Sequence, residues 1–349
     1  MVAKVVMNLP IQPPYAPMEA MLVEEIPTGD YWQYEPKWDG FRCLVFREGN
    51  QVQLQSRSGQ DLTRYFPELV DAFSRLKCAH FVLDGEIAVP IEGRFSFDDL
   101  LQRIHPAASR VQRLAREHPA IFILFDLLVT ETGKRVVDQP LGERRPLLEA
   151  FAAKCLKGHK QIRLSPATTE LAQAKHWFKT VGGDLDGIVA KRLDLPYQSG
   201  ERAGMQKIKQ QRTADCVVGG FRYASNSKVI GSLLLGLYNA EGLLDHVGFC
   251  SGLTTEDRKS LTTKLEPLIE PPGFTGHAPG GLSRWSTKRS MEWQPLKPKL
   301  VVEVSYDHFT GGRFRHGTKL IRWRPDKAPG QCQMDQVLRT RTSRSLALL

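Results

Sequence analysis

The sequence contains no apolar run of about 18 residues, the length a membrane-spanning helix needs, so no transmembrane helix is expected and no membrane partner. Met1 to Pro10 holds one lysine and a short apolar run. It has neither a full hydrophobic region nor a small-residue cleavage site, so no signal peptide is expected. Paired cysteines are also missing. Cys43, Cys78, Cys155, Cys216, Cys250 and Cys332 stand singly, and no C-x-x-C pair suggests zinc. Scattered single cysteines in a chain this large predict buried thiols in a reducing, cytoplasmic setting. The histidines, His105, His118 and His176 among them, show no ligand spacing. No internal repeat and no low-complexity segment is evident.

What is present is enough for two domains, since 349 residues exceed the usual ~100–200 per domain. Hydrophobic residues make up 41%, sufficient for real cores. The net charge is +10, with a pI near 9.3, which favours a polyanionic partner.

The chain opens with a proline-rich, extended lead-in, Pro10, Pro13, Pro14 and Pro17, that cannot be helix. Apolar segments from Tyr31 to Tyr34 and Phe41 to Phe46 read as strands. Between them lies Glu35-Pro36-Lys37-Trp38-Asp39-Gly40-Phe41-Arg42. Gln51 to Ser56 alternates as a third strand and ends in the turn Ser56-Arg57-Ser58-Gly59. Phe66, Leu69, Val70, Phe73 and Leu76 recur at helical spacing, which predicts a helix over 66–77 with Pro67 in its first turn. Phe81 to Val89 is an apolar strand interrupted by Asp84, Gly85 and Glu86. Buried strands tolerate acids only when these are paired or hold a metal. A helix is expected over 97–118 with Arg103, Arg110, Arg113 and Arg116 on its solvated side. A strand from Ala120 to Val129 and helices over 143–156 and 169–181 follow. Gly182-Gly183 then leads into the strand Asp186 to Lys191. In Met205 to Lys209, alternation puts Lys207 and Lys209 on one face.

Residues 210–216, beginning Gln210-Gln211, read as a domain boundary, giving domains over 1–212 and 213–349. The second part holds short strands and glycine turns: Ser232 to Tyr238, Leu243 to Phe249 and Leu300 to Tyr306, with one helix over 255–268. That pattern suits a small OB-type barrel. It carries 19 Lys and Arg against 12 Asp and Glu, a net of +7, so most of the chain's charge lies on the part expected to follow a phosphate backbone. Trp285, Trp293 and Trp323 read as packing residues. Gly311-Gly312-Arg313-Phe314-Arg315 reads either as a basic loop on phosphate or as a plain turn. The last ten residues are expected to be loose.

Lys37, Asp39, Arg42, Arg57, Glu86, Asp186, Lys207 and Lys209 all stand at or near strand ends. Together they form an inventory for a nucleoside triphosphate with a divalent ion. Basic groups neutralise developing phosphate charge, carboxylates suit magnesium, and cationic neighbours lower the pKa of a lysine from its free value of about 10.4.

These stretches resemble the motifs of the covalent nucleotidyltransferases, and within them the ATP-dependent DNA ligases. Lys37-Trp38-Asp39-Gly40-Phe41-Arg42 matches K-x-D-G-x-R. Ser56-Arg57-Ser58-Gly59, Leu83-Asp84-Gly85-Glu86, Phe125-Asp126-Leu127-Leu128, Asp186-Gly187-Ile188-Val189-Ala190-Lys191, Lys207-Ile208-Lys209 and Arg324-Pro325-Asp326-Lys327 match the later motifs in order. Where the family usually has glutamate, this chain has the shorter Asp186. The size and the D-G-I-V-A-K-R wording resemble the bacterial ligase C group.

The resemblance implies an α+β fold: a nucleotidyltransferase (adenylation) domain of antiparallel sheets with helices, then an OB-fold β-barrel. It implies that Lys37 takes AMP from ATP and passes it to the 5′-phosphate of nicked duplex DNA, where the 3′-hydroxyl displaces it. Glu35 would contact the adenine edge and Phe125 its ring. Arg42 and Glu86 would contact the ribose or its phosphate, and Arg57 the 5′-phosphate. Lys191, Lys207 and Lys209 would contact the α-phosphate, and Arg324, Asp326 and Lys327 the leaving pyrophosphate. Asp39, Glu86 and Asp186 are the implied ligands for magnesium, with manganese as the alternative ion. With Lys37 so near the start, no amino-terminal helical DNA-binding domain is expected. A monomer working in DNA repair, alongside a repair polymerase or other repair factors, is the implied setting. The alternatives are an RNA ligase, an mRNA-capping guanylyltransferase, or a non-catalytic DNA-binding module. A zinc finger of the NAD-dependent ligases is missing, which favours ATP.

Overall fold

The computed structural model describes residues 7–180, 185–209, 212–280, 292–338 and 345–349. The expected turn Gly182-Gly183, the boundary dipeptide Gln210-Gln211 and Trp285 lie outside these residues. The chain divides into two compact units, Met1–Gln210 with Thr342–Leu349, and Gln211–Arg341. No helix among the described residues is long and apolar enough to cross a membrane.

The first unit runs β1 (Met21–Val23), β2 (Trp32–Lys37), β3 (Phe41–Glu48), β4 (Gln51–Ser56), α1 (Pro67–Ser74), β5 (His80–Ala88), β6 (Pro90–Ile91), β7 (Arg94–Phe95), α2 (Phe97–Gln102), α3 (Ala108–Glu117), β8 (Ile121–Val129), α4 (Leu141–Cys155), β9 (Ile162–Leu164), α5 (Leu171–Thr180), β10 (Gly187–Arg192) and β11 (Met205–Lys209). Two sheets result. One has the order β1-β11-β10-β2 and the other β4-β3-β5-β8-β9. Pairing is antiparallel except for β1 with β11 and β8 with β9.

Period-2 alternation gives the larger sheet two faces. Cys43, Val45, Leu83, Phe122 and Leu124 pack with α1 and α4 residues such as Phe73 and Phe151. Leu44, Phe46, Val82 and Leu128 face the other way, against Met7, Leu9, Met18 and Tyr197. All nine residues of β8 are buried, as a strand covered on both faces must be. The smaller sheet packs on α5 through Tyr34, Ile188, Ile208, Ala174 and Trp177.

Three expectations change here. The helix over 97–118 is two helices, parted at 103–107, where Pro106 cannot continue the first. Arg103 is not on a solvated side. It is 1% exposed and pairs with Glu68 at 2.7 and 2.8 Å. Cys78 and Cys155 are joined by a disulfide, with Cα atoms 5.8 Å apart across 77 residues, so only Cys43, Cys216, Cys250 and Cys332 are the buried thiols expected. Cysteine usage therefore gives no argument for a reducing compartment.

The second unit runs β12 (Arg212–Tyr223), β13 (Ile230–Tyr238), β14 (Leu244–Cys250), α6 (Thr255–Leu265), β15 (Gln294–Pro295), β16 (Val301–Tyr306), β17 (Phe309–Thr310), β18 (Arg313–Phe314) and β19 (Lys319–Trp323). The sheet order is β14-β13-β12-β16-β19. A bridge between Cys250 and Thr318, just before β19, brings the two ends of that order together, so the sheet closes on itself in OB fashion. Thr254 caps α6 in a reciprocal box with Asp257. Trp293 and Trp323 pack against the barrel core. Gly311 and Gly312, at φ +57° and +76°, make the two-residue turn of the β17–β18 hairpin.

Candidate active site

Strand register builds the centre of the site. In the β2–β10 pair, Lys37 stands opposite Gly187, and in the β10–β11 pair Gly187 stands opposite Lys209. The Asp186 N–H donates to the Lys37 carbonyl at 3.0 Å. The Lys37 ammonium therefore reaches the Asp186 carboxylate, and Lys209 Nζ approaches the same oxygen at 3.4 Å. Gly187 sits between the two lysines at φ +134°, where a Cβ would run into the Ile208 carbonyl. Only glycine permits this conformation and this close strand approach.

Next to this row, Lys207 stands opposite Val189. Its pKa is lowered, first by burial and then by Lys37, Lys209, Arg57 and Arg202, so five cations converge here. Arg57 is exposed on its turn, which is fixed by Gly59 N–H to Ser56 O at 3.0 Å and by Gly59 at φ +82°. The site can hold a strongly anionic group, with one amine already in contact with a carboxylate.

A second cluster surrounds Phe125. The β5–β8 register passes from Asp84 opposite Asp126 to Gly85 opposite Leu124, so Phe125 is the extra residue of a β-bulge. Bulges re-aim side chains beside functional sites. Arg42 Cζ lies 4.5 Å and Lys191 Nζ 4.6 Å from the Phe125 ring centroid. Lys191 is buried. It pairs with Glu35 at 2.8 Å and donates to the Phe125 carbonyl at 3.3 Å. Gln33 Nε2 also donates to Glu35, at 2.8 Å. The ammonium of Lys191 thus pairs with Glu35 beside Phe125, on the same β10 face as Gly187, while Lys37 and Lys209 share Asp186.

The three acids expected to hold metal divide. Alternation puts Arg42, Asp84 and Glu86 on one face of β3 and β5. Burial pushes the Glu86 carboxyl up to about 7, opposed by Lys37 and Arg42 and reinforced by Asp39 and Asp84. Asp186 is engaged by Lys37 and Lys209. No group of three or more His, Cys, Asp or Glu able to hold a metal occurs among the described residues. The donor chemistry nonetheless fits a hard divalent cation at Glu86 with Asp39. These are two carboxylates whose mutual repulsion such an ion would relieve.

Arg324 and Lys327 form their own cluster within the second unit. Asp215 on β12 accepts from Arg324 Nη1 at 2.8 Å and from Lys327 Nζ at 2.6 Å. Asp326 takes the rest of the Arg324 guanidinium, and that pairing holds the Asp326 carboxyl below its usual range. Gln336 fixes Asp215 by two bonds to its backbone, each 2.9 Å.

Sequence reasoning assigned no role to Asp84, Tyr197 or Asp215. Asp84 is fully buried and accepts from Arg42 Nε, Arg42 Nη2 and Tyr197 Oη, each at 2.6 Å. Tyr197 Oη in turn accepts from Met18 N–H at 2.9 Å. The signal for Asp84 and Asp215 is an acid inside an apolar strand, Asp84 with Glu86 two residues on and Asp215 alone in its strand. Tyr197, 113 residues from Asp84, gives no local signal.

Residues 17–209 match the family described as ATP dependent DNA ligase domain, and residues 226–327 match the ATP dependent DNA ligase C terminal region. The chain is 44% identical over 342 residues to DNA ligase C1 of Mycolicibacterium smegmatis, covering 95% of this chain and 96% of that protein. It is 43% identical over 351 residues to DNA ligase C of Mycobacterium tuberculosis, covering 96% and 97%. A solved structure from a structure-function study of Lig E DNA ligases, titled as DNA binding with a minimal scaffold, shares the fold. It has a TM-score of 0.57 at 15% identity, covering 88% of this chain and 99% of that one. Two domain matches in order and over 40% identity along nearly the whole chain place this protein in the ATP-dependent DNA ligase family.

Proposed function

We propose that the protein seals nicks in duplex DNA through an AMP adduct on Lys37. The observation that carries this reading is the row Lys37–Gly187–Lys209 with Asp186 at its end and Lys207 beside it. The Asp186 carboxylate is placed to accept the proton that the Lys37 ammonium must lose. The free amine then attacks the α-phosphorus of ATP, an N–P bond forms, and the P–O bond to pyrophosphate breaks. Lys207 and Lys209 balance the charge that builds on the phosphate oxygens. Phe125 and Arg42 flank the base and ribose, and Glu35, set by Lys191 and Gln33, meets the base edge. Arg324, Asp326 and Lys327 orient the leaving pyrophosphate. Arg57 receives the 5′-phosphate of the nick, to which AMP passes before the 3′-hydroxyl displaces it. Glu86 and Asp39, with Asp186 once its lysine is adenylylated, would hold magnesium or manganese, which would supply further neutralisation of phosphate charge. Nick sealing closes any repair synthesis, so a monomer handed its substrate by repair factors is the setting we infer.

The test is incubation with ATP labelled at the α-phosphate, then with nicked duplex. A label retained after denaturation, lost in Lys37→Ala and chased into sealed DNA, is expected. Labelling by GTP alone, or an adduct that survives Lys37→Ala, would refute the reading.

A further inference from the structure

Ser345–Leu348 forms one turn of 3-10 helix packed within the first unit, against the expectation of a loose tail. Leu346, Leu348 and Leu349 pack on a buried cluster that contains Trp38, Ile123 and Leu185. Leu348 also joins the cluster of Tyr34, Ile188 and Ala190, on the strands β2 and β10. The Leu346 N–H donates to the Gly93 carbonyl at 3.3 Å, and Arg163 Nη1 donates to the Leu349 carbonyl at 3.4 Å. In sequence the chain thus leaves the first unit, forms the second, and returns to complete the core of the first.

The place of return is informative. Trp38 follows Lys37 directly, and Leu185 directly precedes Asp186. The leucines therefore pack against a cluster that holds the chain neighbours of both members of the Lys37–Asp186 pair. Trp38 is 4% exposed. One edge is held by Nε1–H to Ser165 Oγ at 2.9 Å, and its ring meets Phe95 edge to face at 5.8 Å. The leucines cover apolar surface of the same cluster. Without them a buried indole next to the nucleophile would border a void, and packed interiors relax into voids by shifting side chains and backbone.

We propose that Leu346, Leu348 and Leu349 are positioning residues for lysine adenylylation, a buttress behind Lys37 and Asp186 supplied from beyond the second unit. This rests on the assignment of Lys37 as nucleophile. A misplacement of about 1 Å at a reacting group costs on the order of 10²-fold. Lys37 attacks only in the first step, so the buttress matters far more there than in sealing a nick that already carries AMP, where Asp186 is one of three carboxylates that would hold the ion.

The experiment uses the full chain with Leu346, Leu348 and Leu349 each changed to Ser. It measures the rate of lysine labelling by ATP, the rate of sealing of a pre-adenylylated nick, and the Tm. The expected result is labelling slowed about 10- to 100-fold, sealing within about threefold of the unaltered protein, and recovery of labelling when leucine 348 is instead replaced conservatively, as Leu348→Met. If the triple variant does not fold, Leu348→Ala carries the same expectation of slower labelling with intact sealing. Labelling at the unaltered rate, or equal loss of both steps, would overturn the proposal. Failure of the unaltered protein to label overturns the nucleophile assignment instead.

Discussion

Asp84→Asn should both destabilise the first unit and weaken ATP use. Asp84 is fully buried and is the common acceptor for Arg42 and Tyr197, with three bonds of 2.6 Å. Burial alone works against the Arg42 charge, yet pairing with Asp84 raises its pKa above the usual arginine range. Removing one partner of a buried ion pair costs about 3–5 kcal/mol. Asparagine keeps the volume and one acceptor oxygen, and the Arg42 side chain is 20% exposed, so water recovers part of the loss. The expected cost is therefore about 2–3 kcal/mol. For a unit of this size that lowers the Tm by about 4–12 °C. Tyr197→Phe should cost about 1–3 kcal/mol, because it leaves the Met18 N–H without its acceptor. The double variant should lose less than the sum, with a coupling of at least about 0.5 kcal/mol. Calorimetry measures these terms. In the same variants the KM for ATP in lysine labelling should rise more than kcat falls, since Arg42 stands 4.5 Å from the Phe125 ring centroid and would lose its anchor. A Tm within 1 °C of the unaltered value, with an unchanged KM, would show that Asp84 anchors nothing.

Three further outcomes follow from the same geometry. Gly187→Ala should cost at least about 3 kcal/mol and abolish labelling, because φ +134° and the Ile208 carbonyl leave no room for a Cβ; a stable, active Ala variant would contradict the row built on Gly187. Asp215→Asn should slow labelling about tenfold while leaving the sealing of a pre-adenylylated nick intact, since it frees Arg324 and Lys327 from their shared acceptor; equal loss in both assays would count against a role confined to pyrophosphate. In chelator, the Glu86 carboxyl, raised to about 7, contributes stability fully below its unfolded value and loses it as the pH rises through 7; Glu86→Gln should remove that part of the pH dependence of Tm, and an unchanged profile would refute the shift.

The motifs were readable because each is local. Lys37 to Arg42, Asp84 to Glu86 and Asp186 to Lys191 each occupy a few residues whose types state their chemistry. Strand periodicity likewise put Lys207 and Lys209 on one face. What periodicity does not carry is which strand lies beside which. Lys37 and Asp186 meet across 149 residues through the β2–β10 register. That same register, together with the folding of β8, brings Lys191 to Glu35 and Phe125. The bulge that sets Phe125 apart depends on a shift between β5 and β8, and neither strand alone shows it. Arg103 looked solvated because helical spacing ran through it, whereas the helix break buries it on Glu68.

By itself the sequence determined the motifs, their order along the chain and the basic character of the second part, because composition and short-range pattern fix these. The tertiary structure alone decided the partners: Asp186 for Lys37, Asp84 for Arg42 and Tyr197, Asp215 for Arg324 and Lys327, Cys78 for Cys155, and the last leucines for the cluster that holds Trp38. Those pairings follow from long-range strand register and from the filling of cores. Both depend on contacts between segments far apart in the chain.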